Sequence, residues 1–201
     1  MKIVLRKNVK NSSFIRDNYA SSWNFIKSSR NYILFVFFLF LLFITIGVIY
    51  PVFLEEQIKA YLLNLFESIE TYGFLQLFLF ILKNNASSAL FGMILGIIFG
   101  IFPIMAVAMN GYVLGFVAGK SVEIAGLPIL LRLIPHGIFE IPAVFISLGI
   151  GARLGLSIFT KAGRKSFNEN LKNSIRTFVF IILPLLVIAA LIESALIVLM
   201  R

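Results

Sequence analysis

One histidine and two glutamates lie within long apolar stretches of this 201-residue sequence. His136 and Glu140 are four residues apart, so a helix would place them on one face, one turn apart. Glu193 lies in the last apolar stretch. Such groups are costly inside a bilayer, and together they could bind a cation, relay a proton or hold a polar headgroup or peptide. They are the first candidates for chemistry.

Amide side chains extend this group. Two asparagines begin an uncharged stretch, and a third belongs to an Asn-Gly pair. The predicted binding residues form one polar intramembrane cluster: His136, Glu140, Glu193, Asn84, Asn85 and Asn110. The alternative is that the histidine and the glutamates form a buried hydrogen-bonded network that fixes helix register and binds nothing. The residues alone leave both interpretations open.

Enzyme signatures are absent from the sequence. The string H-G-I-F-E over 136–140 lacks the second histidine of a zinc protease, and no G-x-S-x-G elbow occurs. Gly119-Lys120-Ser121 lacks the upstream glycine of a P-loop. Cysteine is absent, which excludes disulfides and thiolate metal sites. We therefore predict no enzymatic activity, no metal site and no cofactor.

The composition requires lipid around most of the chain. Apolar residues make up 60%, phenylalanine alone occupies 22 positions, and only 13% of residues are charged. A soluble domain is closer to half apolar and a quarter charged, and this one would expose large aggregating patches in water. The predicted fold is an all-α polytopic transmembrane helical bundle in the cell membrane, with the lipid bilayer as its first partner.

Apolar run lengths predict about five spans, because some 20 helical residues cross roughly 30 Å of hydrocarbon. They form one transmembrane domain over 31–200, with spans at about 31–50, 86–103, 105–119, 129–158 and 177–200. The joint between the second and third spans is expected between Pro103 and Gly111, where Asn110-Gly111 is the strongest turn signal. Residues 51–83 are predicted to form an extracytoplasmic amphipathic or re-entrant segment.

The net charge of +9 is distributed as a topology signal. Basic residues concentrate in the N-terminal segment 1–30 and in the loop 160–176, whereas 51–73 is acidic. The positive-inside rule therefore predicts a cytoplasmic N-terminus and a cytoplasmic 160–176 loop. This distribution gives no reason to expect a nucleic-acid partner. In this orientation His136, Glu140, Glu193 and the Asn84–Asn85 pair reach a similar depth in the outer half of the membrane.

Two glycine ladders run through the centre of the chain. Glycine recurs every fourth residue at 92, 96 and 100, and again at 111, 115 and 119. Small residues at this spacing let helix backbones approach closely in lipid. The ladders predict tight helix pairs, and they would also permit a homodimer.

Several strings resemble one family in the same order along the chain. They are N-G-Y-V-L-G-F over 110–116, I-P-H-G-I-F-E-I-P-A over 134–143 and A-A-L-I-E-S over 189–194. Over residues 30–200 the sequence resembles the stage II sporulation protein M family of integral membrane proteins. The resemblance implies about five spans, and the family's polar positions map onto Asn110, His136, Glu140 and Glu193. Its sporulation member anchors peptidoglycan-degrading enzymes to the membrane during forespore engulfment.

The functional hypothesis follows from both arguments. A non-enzymatic scaffold or assembly partner would act on another membrane protein through the polar cluster. The alternative is a small transporter or channel subunit, in which helices interrupted by proline and glycine line a path past His136, Glu140 and Glu193. An open cavity reaching these residues would favour the transporter, and a closed and dry cluster would favour the scaffold.

Overall fold

A computed structural model describes residues 2–52, 55–98, 100–132, 134–159 and 163–199 of the chain. Within these ranges, the side chains of 2–12, 62, 66, 131, 132, 134–136, 163 and 164 fall outside the description. Every regular element in the described ranges is helical. The prediction of an all-α fold is confirmed.

The described part of the chain contains eight α-helices. They are α1 (Lys2–Ser28), α2 (Arg30–Ile49), α3 (Glu55–Ile69), α4 (Phe74–Ile94), α5 (Ile101–Ala125), α6 (Ile134–Leu156), α7 (Gly163–Thr177) and α8 (Leu183–Leu199). Short 3₁₀ turns at Leu95–Ile97, Leu127–Arg132 and Ser157–Phe159 follow α4, α5 and α6. A π-helical turn, Phe178–Ile182, joins α7 to α8.

Five helical segments of the described chain are long and apolar enough to cross a membrane, as predicted. They are Arg30–Ile49, Phe74–Ile97, Ile101–Ala125, Gly137–Phe159 and Lys165–Leu199. The last has 35 residues, or about 52 Å of helix, which exceeds the hydrocarbon thickness. Its polar first part, α7, therefore extends beyond the apolar core of the membrane.

The second candidate span begins earlier in the chain than predicted. Helix α4 begins at Phe74 and runs through Asn84 and Asn85, so 74–82 belongs to a candidate span rather than to a re-entrant segment. Polar side chains here do not end the helix, because its backbone hydrogen bonds continue past them.

The predicted turn at Asn110-Gly111 is also wrong, because α5 is continuous from Ile101 to Ala125. The chain turns instead at Gly100, whose φ of 73° lies in the left-handed region that glycine tolerates. Gly111 serves helix packing: a Cβ there would lie 2.9 Å from the carbonyl oxygen of Phe40. The Asn-Gly pair has the composition of a turn, but here its glycine allows the backbone of α2 to approach closely.

The glycine ladders pack within one molecule. On α5, a Cβ at Gly115 would overlap the backbone of Ile44 on α2. In the 3₁₀ turn that follows α4, a Cβ at Gly96 would overlap the carbonyl of Gly151 on α6. The expected close helix pairs are therefore α2 with α5 and α4 with α6. Because both ladders are used in these pairs, they do not supply a homodimer interface.

The π-helical turn has a cause in the sequence. Pro184 follows two residues after Ile182 and has no N–H to donate, and its ring would clash with the carbonyl four residues earlier in a regular α-helix. The backbone widens just before it, and the N–H of Leu183 donates to the carbonyl of Phe178, five residues back. Helix α1 packs across α7 and this turn.

Candidate functional site

Helices α4 and α6 run in the same direction and set the levels of the polar residues. The Ser147 hydroxyl donates to the Ala89 carbonyl at 2.6 Å. Further along both helices, Gly92 meets Leu148 and Gly155 meets the Gly96 backbone. The residue numbers of the contacting positions increase together, so the two helices are parallel. Ser147 and Ala89 give a common level from which the other positions are counted.

Glu140 and the asparagine pair lie near one level. Glu140 is seven residues before Ser147, and Asn85 is four residues before Ala89, so their levels differ by about one helical turn. Glu140 and Asn85 are half-buried, whereas Asn84 is exposed and its amide donates to the Asn85 side chain at 3.4 Å.

Helix α8 brings Glu193 into the same third of the bundle. Ala190 packs in a cluster with Leu77 and Ile81 of α4, and the earlier residue Leu186 packs with Ala89, so α8 runs opposite to α4. Glu193, half-buried, lies one turn beyond Ala190 toward the start of α4. Along the bundle axis it is within about two turns of Glu140.

The two remaining members of the predicted cluster are His136 and Asn110. His136 belongs to α6, but its side chain lies outside the described residues. Asn110 is exposed on α5, and its neighbour Gly111 packs on α2. The described structure thus places positions on α4, α6 and α8 in the same third of the bundle along its axis. Asn110 is near this level too, because Gly111 meets Phe40, whose ring lies 5.1 Å from that of Phe145 on α6.

The bundle below these polar residues is filled with apolar side chains. Buried residues from α1, α4, α6, the π-helical turn and α8 form one continuous cluster: Phe25, Ala89, Met93, Ala143, Ile150, Phe178, Ile182 and Leu186. These side chains bury one another's apolar surface. At this level α4, α6 and α8 enclose an apolar core.

Metal ligation gains no support from the described side chains. Among them, no group of three or more His, Asp or Glu residues is arranged to hold a metal ion, and His136 is not in that set. Glu140 and Glu193 can accept hydrogen bonds or, in their neutral forms, donate one. The chemistry they offer is polar recognition within an apolar environment.

Arg153 has a role that the sequence did not reveal. An arginine near the end of a membrane span usually extends toward the membrane surface. Instead, the Nη1 atom of Arg153 donates to the hydroxyls of Ser28, at 2.6 Å, and Ser29, at 2.8 Å. Its guanidinium also lies 4.5 Å from the ring centroid of Phe25. Arg153 therefore ties α6 to the junction of α1 and α2.

Acidic and basic residues are separated between the two ends of the bundle. The α3 end carries Glu55, paired with Lys59 at 2.6 Å, and this neighbouring ammonium lowers the pKa of the Glu55 carboxyl. Helix α3 packs there through Ile58, which is buried against Tyr112 and Phe116 of α5. The opposite end carries α1 and α7, the two basic helices.

Comparison with known proteins agrees with this architecture. The stage II sporulation protein M family matches the chain over residues 33–196. An uncharacterized protein of Methanocaldococcus jannaschii is 33% identical over 84 residues, which is 42% of this chain and 36% of that protein. No solved structure matches the chain. The match over 33–196 covers all five candidate spans almost completely, and the chain belongs to the stage II sporulation protein M family.

Proposed function

We propose that this protein is a non-enzymatic scaffold of the cell membrane, which organises the transmembrane segment of another membrane protein. Family membership and five candidate spans support an integral membrane protein. The observation that carries the scaffold role is the backbone-to-backbone packing of the helices. A scaffold needs a fixed surface, and helices in such contact cannot slide without steric overlap.

The packing is tight on both sides of α6. At Gly149 an added Cβ would lie 2.8 Å from the Cα of Ile33 on α2, and at Gly151 it would lie 2.9 Å from the Cα of Met93 on α4. Such contacts fix the relative positions of three helices. Alternating-access transport requires one group of helices to move against another, which this packing opposes.

The polar residues on α6 and α8 suit recognition of a helix. Glu140 and Glu193 are half-buried, and each has a half-buried apolar neighbour on the same helix face, Val144 four residues later and Leu196 three residues later respectively. A partner helix that covered the apolar neighbours could hydrogen-bond to the carboxyl groups. Interhelical hydrogen bonds in membranes contribute about 0.6 kcal/mol on average, enough to select a partner's register.

A flux assay in liposomes separates scaffold from transporter. We expect purified protein to pass protons and monovalent cations no faster than empty liposomes. Glu193→Gln should leave that baseline unchanged and should alter thermal stability or complex formation. Glu67→Gln, an exposed glutamate on α3, is the matched control because it makes the same chemical change outside the candidate site.

The rival function makes the opposite prediction. Flux above the baseline that Glu193→Gln abolishes, with an unchanged melting temperature, would replace the scaffold by a transporter or channel subunit. Pro142 within α6 and the π-helical turn before α8 favour this rival, because interrupted helices near polar groups mark substrate sites in transporters.

Crosslinking in the native membrane tests the scaffold directly. A photoreactive residue at Val144 or Leu196 should yield one discrete heteromeric product, because these half-buried positions share a helix face with Glu140 and Glu193. The same residue at Leu41, exposed on α2, should yield only lipid adducts. Products of equal identity and yield at all three positions would contradict a partner site beside Glu140 and Glu193.

A further inference from the structure

Helix α1 has two different faces. Ser22, Phe25 and Ser29 are buried on the side that meets the bundle. The flank beside this buried side presents Ile15, Tyr19 and Trp23 at intervals of four residues, with exposed fractions of 60%, 53% and 47%. A helix that continued into water would not be expected to carry an aromatic stripe away from its protein contact.

The helix crosses the end of the bundle. Its Phe25 lies in the buried cluster that contains Phe178, and the ring of Phe14 lies 6.2 Å from that of Phe180. Phe14 and Phe25 are about 16 Å apart along α1, whereas Phe178 and Phe180 are only about 3 Å apart along their helix. Phe14 and Phe25 thus both lie near residues 178–180 of the last span, although they are far apart on α1. Helix α1 therefore lies across that span.

The crossing point coincides with a membrane boundary. From Phe178 to Leu199 the last span contains 22 residues, about 33 Å of helix, which matches the hydrocarbon thickness. Polar α7 precedes Phe178. A helix that crosses at this level lies in the plane of the lipid headgroups.

Positive charge accompanies the aromatic stripe. Helix α1 has six basic residues and one acidic residue, and α7 has four and one, so the two helices carry +8 of the chain's net +9. Lys27 lies 5.9 Å from the Trp23 ring centroid, and Arg16 lines the same shallow groove as Tyr19 and Trp23. Aromatic anchors bordered by cations match the chemistry of an anionic leaflet.

We propose that α1 is an anionic-lipid-binding helix that inserts Ile15, Tyr19 and Trp23 among the headgroups of the adjacent leaflet. Arg16 and Lys27 then contact the lipid phosphates. The inference does not depend on the scaffold function, and it applies to whichever leaflet faces this end of the bundle.

The chain carries its own probe, because Trp23 is the only tryptophan. The protein is reconstituted in vesicles of phosphatidylcholine and phosphatidylglycerol, with bromine on the acyl chains of one lipid at a time. We expect brominated lipid to quench Trp23 emission and aqueous iodide to quench it poorly. At equal mole fraction, brominated phosphatidylglycerol should quench about twofold more than brominated phosphatidylcholine, because cationic side chains enrich anionic lipid nearby.

Charge variants connect the enrichment to named residues. Arg16→Glu and Lys27→Glu should each lower the quenching ratio toward 1. Because both quenching values in the ratio are measured on the same variant, a direct effect of Lys27 on Trp23 emission cancels. Lys59→Glu makes the same charge change on α3, at the other end of the bundle, and should leave the ratio unchanged. These exposed substitutions are also expected to leave the melting temperature unchanged, which is checked in parallel.

Three results would overturn the proposal. A wild-type ratio of 1 would remove the anionic preference. Strong iodide quenching without lipid quenching would mean that the stripe faces water. Shielding from both quenchers that is lost on dilution into excess lipid would mean that a second copy of the chain covers the stripe.

Discussion

At the scale of single residues, stability depends on a few polar contacts between distant helices. Arg153 joins α6 to two serines more than 120 positions earlier, and Tyr112 donates through its hydroxyl to the Tyr50 carbonyl at 2.8 Å, at the end of α2. Such bonds are few in an apolar bundle, so each has a specific position to hold. Their loss should be measurable one at a time.

Arg153→Met should destabilise the protein. The substitution keeps most of the side-chain volume but removes the donors to Ser28 and Ser29, and hydrogen bonds to charged groups contribute about 1.5–3 kcal/mol each. Because one guanidinium serves both hydroxyls, we expect a loss of about 2 kcal/mol in the free energy of unfolding in lipid. Lys172→Met, at an exposed position on α7, is the control and should change it little. Equal stability of both variants would contradict a structural role for Arg153.

Residue types alone could not identify this contact. An arginine near the end of a span usually extends to the interface, and nothing in the sequence relates it to residues 28 and 29. The contact exists because α1 folds back across the bundle, which is a tertiary event. The grouping of Glu140 and Glu193 in one third of the bundle is different, since span lengths and chain direction were sufficient to anticipate it.

At the scale of elements, the glycines on α5 illustrate how one pattern has unequal consequences. Gly115 and Gly119 are one turn apart in the same ladder. A Cβ at Gly115 would overlap backbone atoms of Ile44, whereas a Cβ at Gly119 would lie 3.7 Å from the nearest atom of Val48, an ordinary contact. Sequence spacing predicts that both face a neighbour but not how closely.

The pair therefore makes an internal comparison. Gly115→Ala should lower the free energy of unfolding by about 2–3 kcal/mol, because the added methyl group overpacks the contact and forces the backbones of α2 and α5 apart. Gly119→Ala should be neutral or stabilising by about 0.5–1 kcal/mol, because alanine favours the helix over glycine. Unfolding in mild detergent with increasing denaturant provides both values. Similar losses for the two variants would mean that α2 and α5 do not meet at Gly115.

Helix boundaries show where local patterns fail. Asn110-Gly111 has the composition of a turn, yet the backbone there is helical and the turn occurs at Gly100. Both sites contain glycine, and the deciding difference is whether a neighbouring helix needs the space that a side chain would fill. Gly111 faces α2, so its lack of a side chain allows packing there. That information resides in the tertiary structure.

At the scale of the whole molecule, charge distinguishes the two ends of the bundle. Helices α1 and α7 bring most of the positive charge to one end, although about 150 residues separate them. Helix α3 places three glutamates and one lysine at the other end. The positive-inside rule counts Lys and Arg residues in the segments between spans. The two segments that it assigns to the same side are the ones that pack together, as α1 and α7.

Accessible cysteine labelling tests the predicted orientation. The natural chain has no cysteine, so each single introduced thiol reports on one position. Lys165→Cys on α7 and Glu67→Cys on α3 are both exposed and lie at opposite ends. In intact cells a membrane-impermeant maleimide should label Glu67→Cys and spare Lys165→Cys, because basic segments remain cytoplasmic. Permeabilisation should make both reactive, which controls for burial. The reverse pattern would place α1 and its aromatic stripe against the outer leaflet, and Glu140 and Glu193 in the cytoplasmic half of the membrane.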